Sequence, residues 1–203
     1  MNNNSAFKIL KENLWWNNPV FIQVLGICSA LAVTNNMTNT LTMGLGVTFV
    51  TGFSSFTISL IKNMIPRKVR MIIQTLIIAF YVIIVDIILK AYLPDISKAL
   101  GPYVGLIITN CIIMGRAEAF AQANKPFISL WDGLSSGAGY LSVLLSIAFI
   151  RELLGFGTLF GYRIMPQGFM TWTIMIMAPS AFFVLAVFIW IGKTLQMKTG
   201  DRK

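Results

Sequence analysis

Charged residues are absent from most of this chain and return in short groups that cut it into six apolar blocks. The blocks run Pro19–Thr34, Leu41–Ile61, Met71–Leu93, Leu100–Gly115, Gly133–Ile150 and Met170–Gly192. A helix needs about 20 apolar residues to cross a bilayer core, and fewer at special sites. No block alternates apolar and polar residues with a period of two, so barrel strands are not expected. In hydrocarbon, helices then remain as the way to satisfy every backbone N–H and C=O. The expected class is all-α: a polytopic membrane protein of six transmembrane helices, forming a single integral membrane domain over residues 1–203.

The order of the blocks repeats once. Each half runs short segment, long segment, basic turn, long segment, with repeat one over about 19–93 and repeat two over about 100–192. Cys28 lies in the first short block and Cys111 in the second. Lys62 ends the stretch ISLIK 34 residues after Cys28, and Arg151 ends IAFIR 40 residues after Cys111. Three spans per half is an odd number, so the halves insert with opposite orientations. Inverted repeats of this kind place their sites near the midplane, on short or broken helices. Gly101 with Gly105, and Gly133 with Gly137, are small-xxx-small patterns that suit close helix packing. Trp15, Trp16, Trp131, Trp172 and Trp190 sit near span ends, as interfacial aromatics do.

Composition agrees. Of 203 residues, 56% are hydrophobic and only 11% charged, with a mean hydropathy of +0.75; a soluble domain carries about a quarter charged residues on its water-facing surface. The opening MNNNSAFKILKENLWWNN is too polar for the core of a signal peptide, so the first apolar block is expected to be retained. The loops are short, and the longest, near 151–169, is glycine-rich and apolar enough to lie at the interface or re-enter the membrane.

The net charge of +9 invites comparison with nucleic-acid binders, but its distribution argues for orientation instead. With a cytoplasmic N-terminus and six spans, one side holds 12 basic residues (Lys8, Lys11, Lys62, Arg67, Lys68, Arg70, Arg116, Lys125, Lys193, Lys198, Arg202 and Lys203). The other holds 4: Lys90, Lys98, Arg151 and Arg163. Basic residues favour the cytoplasmic side, so both termini are expected there, and no nucleic-acid partner is expected.

The chain has no histidine and two cysteines. Imidazole acid–base chemistry and imidazole metal ligation are therefore excluded within it, which leaves thiolate chemistry. A single buried cysteine usually behaves as a small hydrophobe. Here both lie in the short blocks at matching places in the two halves, so paired tips near mid-membrane would each present one thiol. Two thiolates half-fill a four-cysteine [2Fe–2S] site or a four-ligand zinc site. Packing and metal binding both stand at this point; metal binding requires a second polypeptide, whether another copy or a paralogue.

The stretches around the cysteines, LGICSALAVT (25–34) and GLIITNCIIMGRAEAFA (105–121), closely resemble the D-subunit family of the Na+-translocating NADH:quinone oxidoreductases. So do IIVDIILKAYLPDISK (83–98), RELLG (151–155) and APSAFF (178–183). The resemblance covers nearly the whole chain. It implies a six-helix inverted-repeat protein of the bacterial inner membrane, paired with a paralogous E-type partner and with the other subunits of the complex. It further implies that Cys28 and Cys111 supply two ligands to a [2Fe–2S] cluster shared between the two paralogues, relaying electrons between flavins of other subunits. Rnf-type complexes contain an equivalent protein; Ser29-Ala30 after Cys28, where many Rnf relatives suggest a proline-containing sequence, favours the former family, as does the short segment before the last span.

No flavin is expected on this chain, because Ser136-Gly137-Ala138-Gly139 lacks the threonine to which such families attach it, and no dinucleotide fingerprint follows a strand. No catalysis is expected from the chain alone. Ser29, Thr109 and Asn110 flank the cysteines and are candidates for hydrogen bonding to sulfur; simple helix packing accounts for them equally well. Asp86 is an intramembrane acid and a candidate for the cation pathway, although Lys90 follows at the favourable i, i+4 spacing and neutralises it in a simpler account. Arg116 with Glu118, Arg151 with Glu152, and Asp132 are expected as span-end charges that order loops or contact other subunits. Two other classes compete: a transporter, with a substrate site within one chain, and a structural anchor, whose cysteines tolerate replacement.

Overall fold

The structure, a computed structural model, describes residues 25–92, 94–159, 162–163 and 177–200. Its elements are helical: α1 (Ile27–Val33), α2 (Met37–Ile61), α3 (Arg70–Tyr92), α4 (Pro94–Ile108), α5 (Cys111–Arg116), α6 (Pro126–Gly155) and α7 (Ala178–Gly200). A turn of 3-10 helix over Arg67–Val69 leads into α3, and a π-helical turn over Ala117–Ala121 continues α5. The one described β pairing joins Thr158 to Arg163 and Leu159 to Tyr162, a two-residue antiparallel ladder inside the glycine-rich loop. Four helical stretches are long and apolar enough to cross a bilayer: Met37–Ile61, Arg70–Tyr92, Tyr103–Ala121 and Pro126–Gly155; the apolar part of α7, Pro179–Leu195, is shorter. The chain is a multi-pass membrane protein. Residues 19–24 of the first apolar block, 170–176 of the last, and Trp15, Trp16 and Trp172 lie outside the described residues.

The centre of the molecule is the antiparallel pair α2 and α6. Apolar side chains gain nothing by leaving lipid for protein, so helices in a membrane associate through close packing at small residues. α2 and α6 supply those residues. A Cβ added to Gly133 would lie 2.8 Å from the carbonyl oxygen of Thr51, and one added to Gly137 would lie 2.7 Å from Cα of Thr48. Gly44 and Gly52 of α2 return the favour, receiving Leu141 and Leu134 of α6. Two hydroxyls in this contact are satisfied within α2: Thr48 Oγ1 donates to the Gly44 carbonyl at 2.8 Å and Thr51 Oγ1 to that of Val47 at 2.6 Å. The other glycine pair behaves differently, since a Cβ on Gly101 or Gly105 meets no described atom within 4 Å.

At each end of the pair, one helix closes off the turn that begins the other. Ser59 Oγ and Lys62 Nζ of α2 both donate to the carbonyl of Asn124, in the turn before α6, each at 2.7 Å. At the opposite end, Arg151 of α6 donates to Thr34 Oγ1 at 2.6 Å, and Glu152 accepts from the N–H of Met37 at 2.7 Å, in the turn that opens α2. Arg151 also reaches the carbonyl of Met177 at 3.2 Å, tying in the start of α7.

These bonds revise the expected role of the span-end charges. Arg151 and Glu152 are buried and internal, at 2% and 3% exposure. Arg116 pairs with Asp132 of α6 rather than with Glu118: its Nε donates to Oδ2 at 3.0 Å and its NH2 group meets Oδ1. Glu118 turns to α3, accepting from Arg70 at 2.6 Å and Gln74 at 2.8 Å. Residues two apart on a helix do not face each other, so Arg116 and Glu118 serve different neighbours. α3 and α7 complete the bundle and carry many exposed apolar side chains, among them Ile72, Leu76, Phe80, Phe183 and Trp190.

Candidate functional site

Each cysteine stands at the start of a short helix. α1 is preceded by Gly26, whose φ of +84° is left-handed and favours a residue without a side chain. The helix begins at the next residue, so Cys28 occupies its first turn. α5 is separated from α4 by a break at Thr109–Asn110. There the Asn110 side chain caps the new helix, accepting from the N–H of Ile112 at 3.1 Å, and Cys111 is the first helical residue.

The two helix starts pack on each other. A Cβ at Gly26 would lie 2.9 Å from Cδ1 of Ile112, the residue after Cys111, and 2.7 Å from Cε2 of Tyr140. A Cβ at Gly115 would sit 3.1 Å from Cδ1 of Leu25. The absence of side chains at these glycines is what lets the segment before Cys28 seat against α5. Both cysteines are exposed free thiols, while the residues beneath them are buried: Ser29 at 3%, Asn110 at 4% and Tyr140 at 1%.

Those three residues form one polar cluster in an otherwise apolar core. The hydroxyls of Ser29 and Tyr140 hydrogen-bond each other. The Gly26 carbonyl accepts from Ser29 Oγ at 3.2 Å and from Tyr140 at 3.4 Å, and Asn110 Nδ2 donates to Ser29 Oγ at 3.4 Å. The sequence marks Ser29 and Asn110 as neighbours of the cysteines; the structure places their side chains facing each other at 3.4 Å. Tyr140 escapes a sequence reading, 29 residues beyond Cys111 in the run GAGYL. A hydroxyl-bearing aromatic in the middle of a glycine-rich membrane helix is the signal that was there to find.

Chemically, the site offers two sulfur donors and no more. Among the described residues no group of three or more Cys, Asp or Glu side chains lies together. Asp86 lies apart, towards the end of α3, where Lys90 Nζ donates to its Oδ2 at 2.6 Å. The Ser136-Gly137-Ala138-Gly139 run lies within α6, with Gly137 against α2.

Comparison with known proteins places this geometry in context. Residues 6–189 match a family described as Rnf-Nqr subunit, membrane protein. The D subunit of the Na(+)-translocating NADH-quinone reductase of Chlamydia trachomatis serovar D is 50% identical over 204 residues, covering 96% of each chain. That of Chlamydia pneumoniae is 51% identical over 201 residues, 94% of each chain. That of Pseudomonas paraeruginosa is 48% identical over 192 residues, 92% of this chain and 86% of its own.

Proposed function

From the premise that this chain belongs to the Rnf-Nqr family of membrane subunits, we propose that it is the D subunit of a Na+-translocating NADH-quinone reductase, and that Cys28 and Cys111 form half of an intramembrane [2Fe–2S] site. The observation that carries the reading is the pair of exposed free thiols on two mutually packed helix starts, beside a hydrogen-bonded polar cluster.

The residues fit half of such a group. A [2Fe–2S] cluster takes four thiolates, and this chain has two cysteines and no histidine. Their exposure leaves the thiols available to a second polypeptide, and a paralogue of the same design, the E-type partner, would complete the set. A cluster held there supplies single-electron exchange between flavins carried by other subunits. This chain's own part is to hold two sulfurs at fixed places and to keep the backbone around them hydrogen-bonded in a medium without water. It belongs to an oxidoreductase without being an enzyme by itself.

The wider reading is of six crossings in two inverted halves, in the bacterial inner membrane with both termini cytoplasmic. Its support is the reciprocal pattern at the ends of α2 and α6, where Lys62 bonds the turn after α5 and Arg151 bonds the turn after α1. Lys62 and Arg116 lie at the same end of the α2–α6 pair and Arg151 at the other, as the sidedness of the basic residues requires.

The test is made on the purified complex with Cys28→Ala or Cys111→Ala. Iron content and the iron–sulfur EPR signal are expected to fall in both variants with every other subunit present. Full retention of iron would assign the cysteines to packing and leave an anchoring or transport role.

A further inference from the structure

Tyr140 touches the segment that bears Cys28 and is linked through it to the segment that bears Cys111, while belonging to neither. Its ring packs against Gly26, two residues before Cys28. Its hydroxyl bonds Ser29, one residue after Cys28, and through Ser29 it is linked to Asn110, one residue before Cys111. The phenol is thus the post on α6 to which Ser29, the residue that joins the two segments, is fastened.

The hydrogen-bond count supports a positioning role. Ser29 and Tyr140 together bring two O–H donors. One donates to the other hydroxyl, whose own proton goes to the Gly26 carbonyl. Asn110 uses its amide oxygen to cap α5 and an amide N–H to reach Ser29. Gly26 is followed by helix, and its carbonyl also accepts from the N–H of Ala30 at 3.2 Å. Removing the phenol oxygen therefore withdraws a partner from Ser29 at a depth where water does not replace it, while the Ser29 hydroxyl still serves the Gly26 carbonyl. Ser29 also keeps its bond to Asn110, so the fold survives while the two helix starts lose their fastening to α6.

We propose that Tyr140 is a positioning residue that holds the Cys28 and Cys111 thiols in register as a pair, through Ser29 and Asn110, independently of whatever the thiols bind. This rests on the reading of the cysteines as a half-site and adds the device that pre-organises it. A ligand pair held in advance loses less freedom when it closes on its target than one that must be gathered.

The test uses the full chain in membranes stripped of iron, probed with phenylarsine oxide, which closes on two thiols held together. Protection of Cys28 and Cys111 from later maleimide labelling reports capture, and Cys28→Ala, which leaves one thiol, sets the background. The native chain is expected to be captured, and Tyr140→Phe to need about tenfold more reagent, as for the loss of one buried hydrogen bond. Ser29→Ala, which keeps the phenol, is expected to shift capture in the same direction. Unchanged capture in both variants overturns the positioning role, as does a native chain captured no better than Cys28→Ala. The half-site reading fails separately, if Cys28→Ala and Cys111→Ala complexes keep their iron. In the whole complex, Tyr140→Phe is expected to retain iron with an altered EPR line shape; an unaltered line shape overturns the proposal while leaving the half-site intact.

Discussion

Two carboxylates show how differently the same group is used within this chain. Asp132 is 2% exposed at its side chain and pairs with Arg116 at 12%, whereas Asp86 and Lys90 pair at 25% and 65%. Breaking a buried pair leaves an uncompensated charge and costs about 3–5 kcal/mol. Asp132→Asn is therefore expected to lower the thermal midpoint of the detergent-solubilised protein sharply. Asp86 has a second test, in the assembled complex. If it takes part in cation uptake, Asp86→Asn shifts the Na+ dependence of turnover with assembly intact; an unchanged dependence assigns it to Lys90 alone. The Asp86–Lys90 pair was legible because it is local, one turn apart. The Arg116–Asp132 pair was not, because its members are 16 residues apart on either side of a turn, and Glu118 stood nearer in the sequence as a false partner.

At the scale of elements, the two glycine pairs carry the same spacing and different consequences. Gly133 and Gly137 lie against the backbone of α2, and Gly101 and Gly105 meet nothing described. Overpacking a tight contact costs about 1–3 kcal/mol, so Gly137→Ala is expected to reduce the fraction of protein still folded after heating in detergent, with Gly101→Ala as an unaffected control. A small-xxx-small pattern states that a backbone can be approached; it does not say by which helix, and only the fold supplies that. The helices themselves were legible from the apolar blocks, and the break before Cys111 was foreshadowed by a short block. The extent of α6 was not. It runs from Pro126 to Gly155, well past the uncharged block at 133–150, because Asp132, Arg151 and Glu152 are helical residues whose charges are met by other elements.

For the whole molecule, the order of the apolar blocks was readable from the chain alone. How α2 and α6 hold each other was not, since it depends on atoms such as the Asn124 carbonyl and the Met37 N–H that no side-chain pattern advertises. The ends of α2 and α6 form an exchange of hydrogen bonds, and this exchange has a bearing on how the protein can be divided. A chain cut at residue 93 yields a first piece without the guanidinium and carboxylate that satisfy Thr34 and Met37. The second piece lacks the hydroxyl and ammonium that satisfy Asn124. Each fragment expressed by itself should be cleared by membrane proteases, and the two expressed together should accumulate and co-purify. The connection between the halves is then dispensable, while neither half is self-sufficient: the smallest heritable unit of this fold is the pair.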